Sequence, residues 1–166
     1  MNRRSFLRNS LITATAGFAA LQLAPVAIAN KANKTLEQWK QLLSKEQFYI
    51  LFEEGTERSF TSALLHEKRE GHYICAACYQ PLFASSTKYE SGTGWPSFWQ
   101  PLDNAVNTKR DFKLILPRTE YHCSNCGGHQ GHVFNDGPQP TGLRYCNNGL
   151  ALEFIPQEQP LPKLRA

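Results

Sequence analysis

Residues 121–138 read YHCSNCGGHQGHVFNDGP, and the way this stretch folds settles the architecture of the chain. Cys123 and Cys126 stand two residues apart, the spacing at which a tight turn presents two sulfurs to one metal ion. Gly127 and Gly128 follow and free the backbone that such a turn must bend. Then comes a short run, His132–Phe134, closed at once by the turn residues Asn135, Asp136, Gly137 and Pro138. A turn, a short strand and another turn leave no room for a long helix.

The same pattern holds on both sides. Short apolar or alternating runs at His72–Cys75, Pro81–Ala84, Phe112–Leu116, Thr119–Cys123, Leu143–Cys146 and Ala151–Ile155 are separated by clusters of Gly, Pro, Asn and Asp. Without intervening long helices these strands are expected to pair antiparallel. Only before Gly55 does the pattern turn helical. Thr35 with Gln38 and Ser44 with Gln47 both fit the capping box, and Leu36, Trp39, Leu42 and Leu43 share one expected apolar face, Phe48, Leu51 and Phe52 another. The expected fold class is mainly β, an antiparallel domain with short N-terminal helices.

Cys75 and Cys78 form a second knuckle, separated from the other by 44 residues. Two knuckles complete the tetrahedral four-sulfur shell that Zn²⁺ prefers, so Cys75, Cys78, Cys123 and Cys126 are the expected ligands of one structural zinc. Disulfides and a redox-active CxxC are the competing readings. Neither pair opens a helix after a strand, which argues against the redox version. Four thiolates leave the metal no open position for chemistry.

Cys146 remains outside this accounting. On a strand running Leu143–Cys146 and on to Asn148, the side chains of Arg144, Cys146 and Asn148 are expected on one face. A guanidinium beside a thiol favours the thiolate. Upstream, His129 and His132 are donors able to give or take a proton near neutrality. The stretch SGTGWPSFW, residues 91–99, places Trp95 and Trp99 in a Gly/Pro-rich loop, where aromatic rings line a pocket or pack on the core.

The N-terminus carries a different message. Arg3, Arg4 and Arg8 precede an apolar run from about Leu11 to Ala24, and Ala27-Ile28-Ala29 has the small-x-small form of a cleavage site. The adjacent arginines followed by Ser5-Phe6-Leu7 look like a twin-arginine export signal. The expected organisation is a signal peptide over residues 1–29 and one domain over 30–166, with a loose Pro-rich tail from about 156, delivered to the periplasm. The formal charge of +4 includes the three signal arginines, so the remainder carries only +1 and offers no basic patch for nucleic acid. No membrane association is expected after signal cleavage.

Taken in order, CxxC, SGTGWPSF, CxxCGGHQGHVFNDGP and GLRYCNNGLALEFIP resemble the methionine sulfoxide reductase B family from about Leu36 to Pro156. The resemblance implies a β-tent-like fold, a structural zinc, and reduction of the R epimer of methionine sulfoxide in oxidised proteins. It implies Cys146 as nucleophile, Trp95 and Phe134 at the substrate, and His129 and His132 at the sulfoxide oxygen. Arg144 and Asn148 would support the thiolate, and Asp136 would orient a histidine. Many members read SGCGWPSF with a resolving cysteine where Thr93 stands here. The expected product, a sulfenic acid at Cys146, is therefore recycled by an external thiol. The rival reading is a zinc-ribbon-like interaction module without catalysis, in which Cys146 would be dispensable.

Overall fold

The computed structural model describes residues 32–113 and 117–165; the expected signal peptide lies outside them. Two short helices come first, α1 (Leu36–Leu42) and α2 (Lys45–Glu53), and both expected capping boxes are present. Each cap hydroxyl accepts from the backbone N–H three residues on, and the glutamine there accepts from the cap N–H. Trp39 is buried in the core, as are Phe48 and Leu51, whereas Leu36 and Leu42 face solvent. With only two turns, α1 can dock one side chain deeply, and its largest takes the place.

Among the described residues nine strands follow: β1 (Gly71–Cys75), β2 (Pro81–Ala84), β3 (Lys88–Tyr89), β4 (Ser97–Phe98), β5 (Val106–Asp111), β6 (Arg118–Cys123), β7 (His129–Phe134), β8 (Arg144–Asn147) and β9 (Leu152–Pro156). They make two sheets, one ordered β2-β1-β9 and one ordered β3-β4-β8-β7-β6-β5. Every pairing is antiparallel. Between the sheets, Phe83 stacks on Phe98 at 4.2 Å and Tyr73 meets the same ring edge-on at 4.9 Å. All three rings are fully buried, and each such side chain stabilises the fold by about 1.5–3 kcal/mol. This aromatic layer is the rigid floor beneath the strands that carry the site.

Of the strand expected at Phe112–Leu116, residues 114–116 lie outside the described residues, while Phe112 and Lys113 follow the end of β5 and are not in a strand. Most side chains of β5 (Asn107, Thr108, Lys109 and Arg110) are exposed, because β5 is the edge of the large sheet. Polar and charged edge strands resist pairing with other chains and lack the apolar alternation by which strands are read. Phe112, just past its end, is 71% exposed. The C-terminal stretch is exposed over residues 157–161 but returns at Arg165. There its N–H donates to the Cys78 carbonyl at 3.0 Å and its guanidinium lies 3.9 Å from the Tyr79 ring centroid.

Candidate active site and metal centre

The two knuckles are built alike. Tyr79 N–H donates to the Cys75 carbonyl at 2.9 Å, and Gly127 N–H donates to the Cys123 carbonyl at 2.9 Å. Each turn closes on a left-handed residue, Gly127 at φ 74° and Tyr79 at φ 64°. A tyrosine there is strained, and the Arg165 contacts hold it in place.

All four sulfurs lie within 4.8 Å of one another, with Cys75 to Cys126 at 3.7 Å and Cys78 to Cys123 at 3.5 Å. A tetrahedron of ~2.3 Å metal–sulfur bonds has edges of ~3.8 Å, so the cluster has the size of a zinc shell. The same distances are far beyond a disulfide's ~2.05 Å. Crowding pushes the Cys75 and Cys126 thiols well up and drives Cys78 toward the thiolate. Such a cluster is an unbalanced anion until a cation joins it. The residues fit one structural Zn²⁺, held by Cys75, Cys78, Cys123 and Cys126.

Cys146 lies in the large sheet on β8, opposite Ser97 of β4 on one side and His132 of β7 on the other. The approach of β7 is close: a Cβ at Gly131 would sit 1.9 Å from the Cys146 carbonyl oxygen, so only glycine fits. Cys146 opens into a cleft of about 110 Å³ lined also by Trp95, Phe134, His132, Arg118 and Thr56. Trp95 is half-buried, its indole N–H donating to the Glu57 carbonyl at 3.2 Å.

Arg144, two residues before Cys146, is held by a two-pronged pair with Asp136, both bonds at 2.8 Å, and lies 4.4 Å over the Phe134 ring. Burial pushes the Cys146 thiol up, while the Arg144 charge and hydrogen bonds from Thr93 and Arg144 pull it down. The net direction is upward. The expected thiolate-favouring pull of Arg144 is real, but desolvation of a largely buried sulfur outweighs it.

Asp136 is thus the partner of Arg144, not of a histidine. The histidine carboxylates are two that sequence reasoning missed. His129 Nδ1 is 2.7 Å from Glu120, and both side chains are buried. His132 Nε2 is 2.6 Å from Asp111, which also takes Arg118 at 2.7 Å. Asp111 is held well below the carboxylate range, by the Lys113 backbone N–H above all, then by His132 and Arg118. Burial lowers the His132 pKa despite Asp111. Sequence signals for these partners are faint: a glutamate inside a short strand beside a buried tyrosine, and an aspartate at a strand end.

Asn148 also differs from expectation. The strand stops at Asn147, and Asn148 caps the Gly149–Ala151 turn instead of continuing the alternation. Its side chain accepts from Glu57 N–H at 3.0 Å and donates to the Gln130 carbonyl at 3.0 Å. Glu57 in turn accepts from the Gly149 and Leu150 N–H groups. Asn148 and Glu57 together tie the loop after Cys146 to the segment that anchors Trp95.

A buried four-sulfur staple and a separate cysteine facing an arginine, a histidine and a tryptophan define a zinc-stapled β domain with a candidate thiol-centred site. The SelR domain model matches residues 43–156, and the chain belongs to this family, the methionine sulfoxide reductase B family. It is 55% identical over 125 residues to the peptide methionine sulfoxide reductase MsrB of Leptospira interrogans, covering 75% of this chain and 95% of that protein. It is 49% identical over 130 residues to the MsrB of Methanosarcina mazei (78% and 93% covered). It is 51% identical over 124 residues to the chloroplastic peptide methionine sulfoxide reductase B1 of Arabidopsis thaliana (74% and 61%). The rival interaction-module reading is not favoured.

Proposed function

We propose that the chain is a peptide methionine (R)-sulfoxide reductase with Cys146 as its nucleophile. The observation that supports this most is the meeting of Cys146, His132, Trp95 and Phe134 on one cleft. Trp95 and Phe134 supply an apolar wall for the methyl end of the side chain. The Cys146 thiolate attacks the sulfoxide sulfur. The sulfur–oxygen bond breaks as the oxygen is protonated, with His132 and His129 as the donors near it. Methionine leaves two electrons richer, and Cys146 carries the oxygen as a sulfenic acid.

Arg144, held by Asp136, supports the anionic sulfur, and Asn148 sets the loop behind it. An external thiol then attacks the Cys146 sulfur and releases water. A second thiol resolves the mixed disulfide and restores Cys146. Thr93, a residue without a thiol where many members of the resembled family carry a resolving cysteine, supports this external route. Zinc stays in its staple. Residues 3–29 support export by the twin-arginine route, so that repair takes place on oxidised proteins in the periplasm.

The test offers the R and S epimers of a peptide methionine sulfoxide separately, with dithiothreitol, to the parent and to Cys146→Ser. The expected outcome is turnover of R alone, lost in the serine variant while zinc is retained. Turnover by the serine variant, or none by the zinc-loaded parent, removes the reading.

A further inference from the structure

Two amides lie in the core between the four-sulfur centre and the strand that carries Cys146. Gln130 on β7 and Asn147 on β8 are both fully buried, where Gln and Asn are mostly exposed in folded proteins. A buried amide needs partners for both its oxygen and its NH₂ group. Here the partners form a row. The Tyr121 hydroxyl donates to Asn147 Oδ1 at 2.6 Å, Asn147 Nδ2 donates to Gln130 Oε1 at 3.4 Å, and Gln130 Nε2 donates to Cys75 Sγ at 3.5 Å. Asn147 Nδ2 gives its second hydrogen to the Asn148 carbonyl at 2.8 Å.

The row has a single polarity. A thiolate that serves as a metal ligand only accepts, so Gln130 turns its NH₂ group to Cys75 and its oxygen to Asn147. Asn147 then turns its NH₂ group to Gln130, and its oxygen takes the tyrosine. All three hydrogens point toward the sulfur, and in such a row each donor is strengthened by the bond it accepts. One end of the row therefore rests on the metal centre, while its middle rests on the active-site strand. Asn147 directly follows Cys146, and its backbone N–H donates to the Pro96 carbonyl at 2.9 Å. The Gln130 carbonyl accepts from the backbone N–H of Asn148 at 2.8 Å and from its side chain at 3.0 Å. Both residues after Cys146 are thus fastened to Gln130.

We propose that Gln130 and Asn147 form a buried amide bridge by which the zinc centre and the Cys146 strand hold one another in place. Both are positioning residues: Gln130 acts on the Cys75 sulfur, and Asn147 acts on that sulfur through Gln130. Groups that hydrogen-bond a metal ligand orient it and tune its hold on the metal. In return, a sulfur fixed in the staple offers Gln130 a fixed acceptor, and Gln130 fixes the strand. Such coupling is reciprocal. It does not depend on reductase turnover.

The experiment perturbs each end of the bridge and reads the other, on the zinc-loaded full chain. One reading is the rate of zinc transfer to the chelator 4-(2-pyridylazo)resorcinol. The other is hydrogen exchange of the β8 amides, followed by mass spectrometry. Gln130→Leu should speed zinc transfer about tenfold, as loss of an outer-shell partner does, and should quicken β8 exchange by about the same factor. Asn147→Leu removes no hydrogen bond to a ligand sulfur, yet should speed zinc transfer about threefold. A triple variant, Gln130→Leu with Asn147→Leu and Tyr121→Phe, removes the whole row and orphans none of its members. Its melting temperature should return toward that of the parent, while zinc transfer stays as fast as in Gln130→Leu. Zinc transfer at the parent rate in Asn147→Leu would overturn the bridge, since a lone Gln130 contact does not pass through Asn147. Unmoved β8 exchange in Gln130→Leu would overturn it from the other side. So would a triple variant that regains the parent melting temperature and the parent zinc transfer together, because the single variants would then have acted only through unpaired polar groups.

Discussion

At the metal centre four sulfurs lie within 4.8 Å of one another, three of them fully buried, and each knuckle is locked by the same carbonyl-to-amide turn. At the cleft Cys146 stands outside that cluster, on a strand, with Arg144 and Thr93 beside it and open space in front. The chemistry of the atom is the same in both places. In the first, neighbouring sulfurs saturate a cation and leave nothing to react. In the second, a sulfur faces hydrogen-bond donors and one cation that cannot bind it covalently, so its electron pair stays available. Surroundings, not residue type, separate a structural cysteine from a reactive one.

The contrast leads to graded expectations. The largest effect belongs to the staple. Cys123→Ser, or stripping by a strong chelator, should abolish the cooperative thermal transition, since structural zinc contributes on the order of 10 kcal/mol to folding. A chelated protein that melts as before would mean that the four sulfurs do not hold the sheets together. Next comes the cleft. Arg144→Met removes the charge that pulls the Cys146 thiol down, so its rate against pH should move to higher pH, with about tenfold less turnover at pH 7. Zinc content should not change. Loss of metal in this variant would erase the distinction between the two sites.

A smaller effect concerns the edge that carries the histidine partners. Lys109 and Lys113 hold Glu54 down at about 2, and Lys109 also reaches Glu120 at 3.0 Å. A carboxylate with a depressed folded pKa stabilises the fold fully above its unfolded value of about 4.3. That contribution drains away as pH falls toward 2. Lys109→Met should therefore flatten the fall in urea midpoint between pH 5 and 3, while leaving zinc content at pH 7 untouched. An unchanged slope would remove Lys109 from the account. Smallest is the cap on α1: Thr35→Ala should lower unfolding stability by about 1 kcal/mol, with Cys146 alkylation unaltered.

The parts legible in the sequence share one property, a short reach along the chain. A knuckle, a capping box or a turn is complete within five residues, so spacing and residue type suffice. Both knuckles, both caps and the cleft residues Cys146, Trp95 and His132 fall in this group. The edge strand β5 did not, because its outward-facing charges carry no alternation to read.

The partners at the site form a second group. Glu120 finds His129 from nine residues away, Asp111 finds His132 from 21, and Asn148 reaches Glu57 from 91. These meetings follow from strand register, in which one residue of slippage turns every side chain to the other face. Arg144 illustrates both levels. Its position two residues from Cys146 is written in the chain, but its pairing with Asp136 in place of a histidine arises because β7 and β8 run antiparallel around the turn between them. Local chemistry marked the proposed nucleophile and the four-cysteine cluster; the pairing of distant strands chose the charges that surround them.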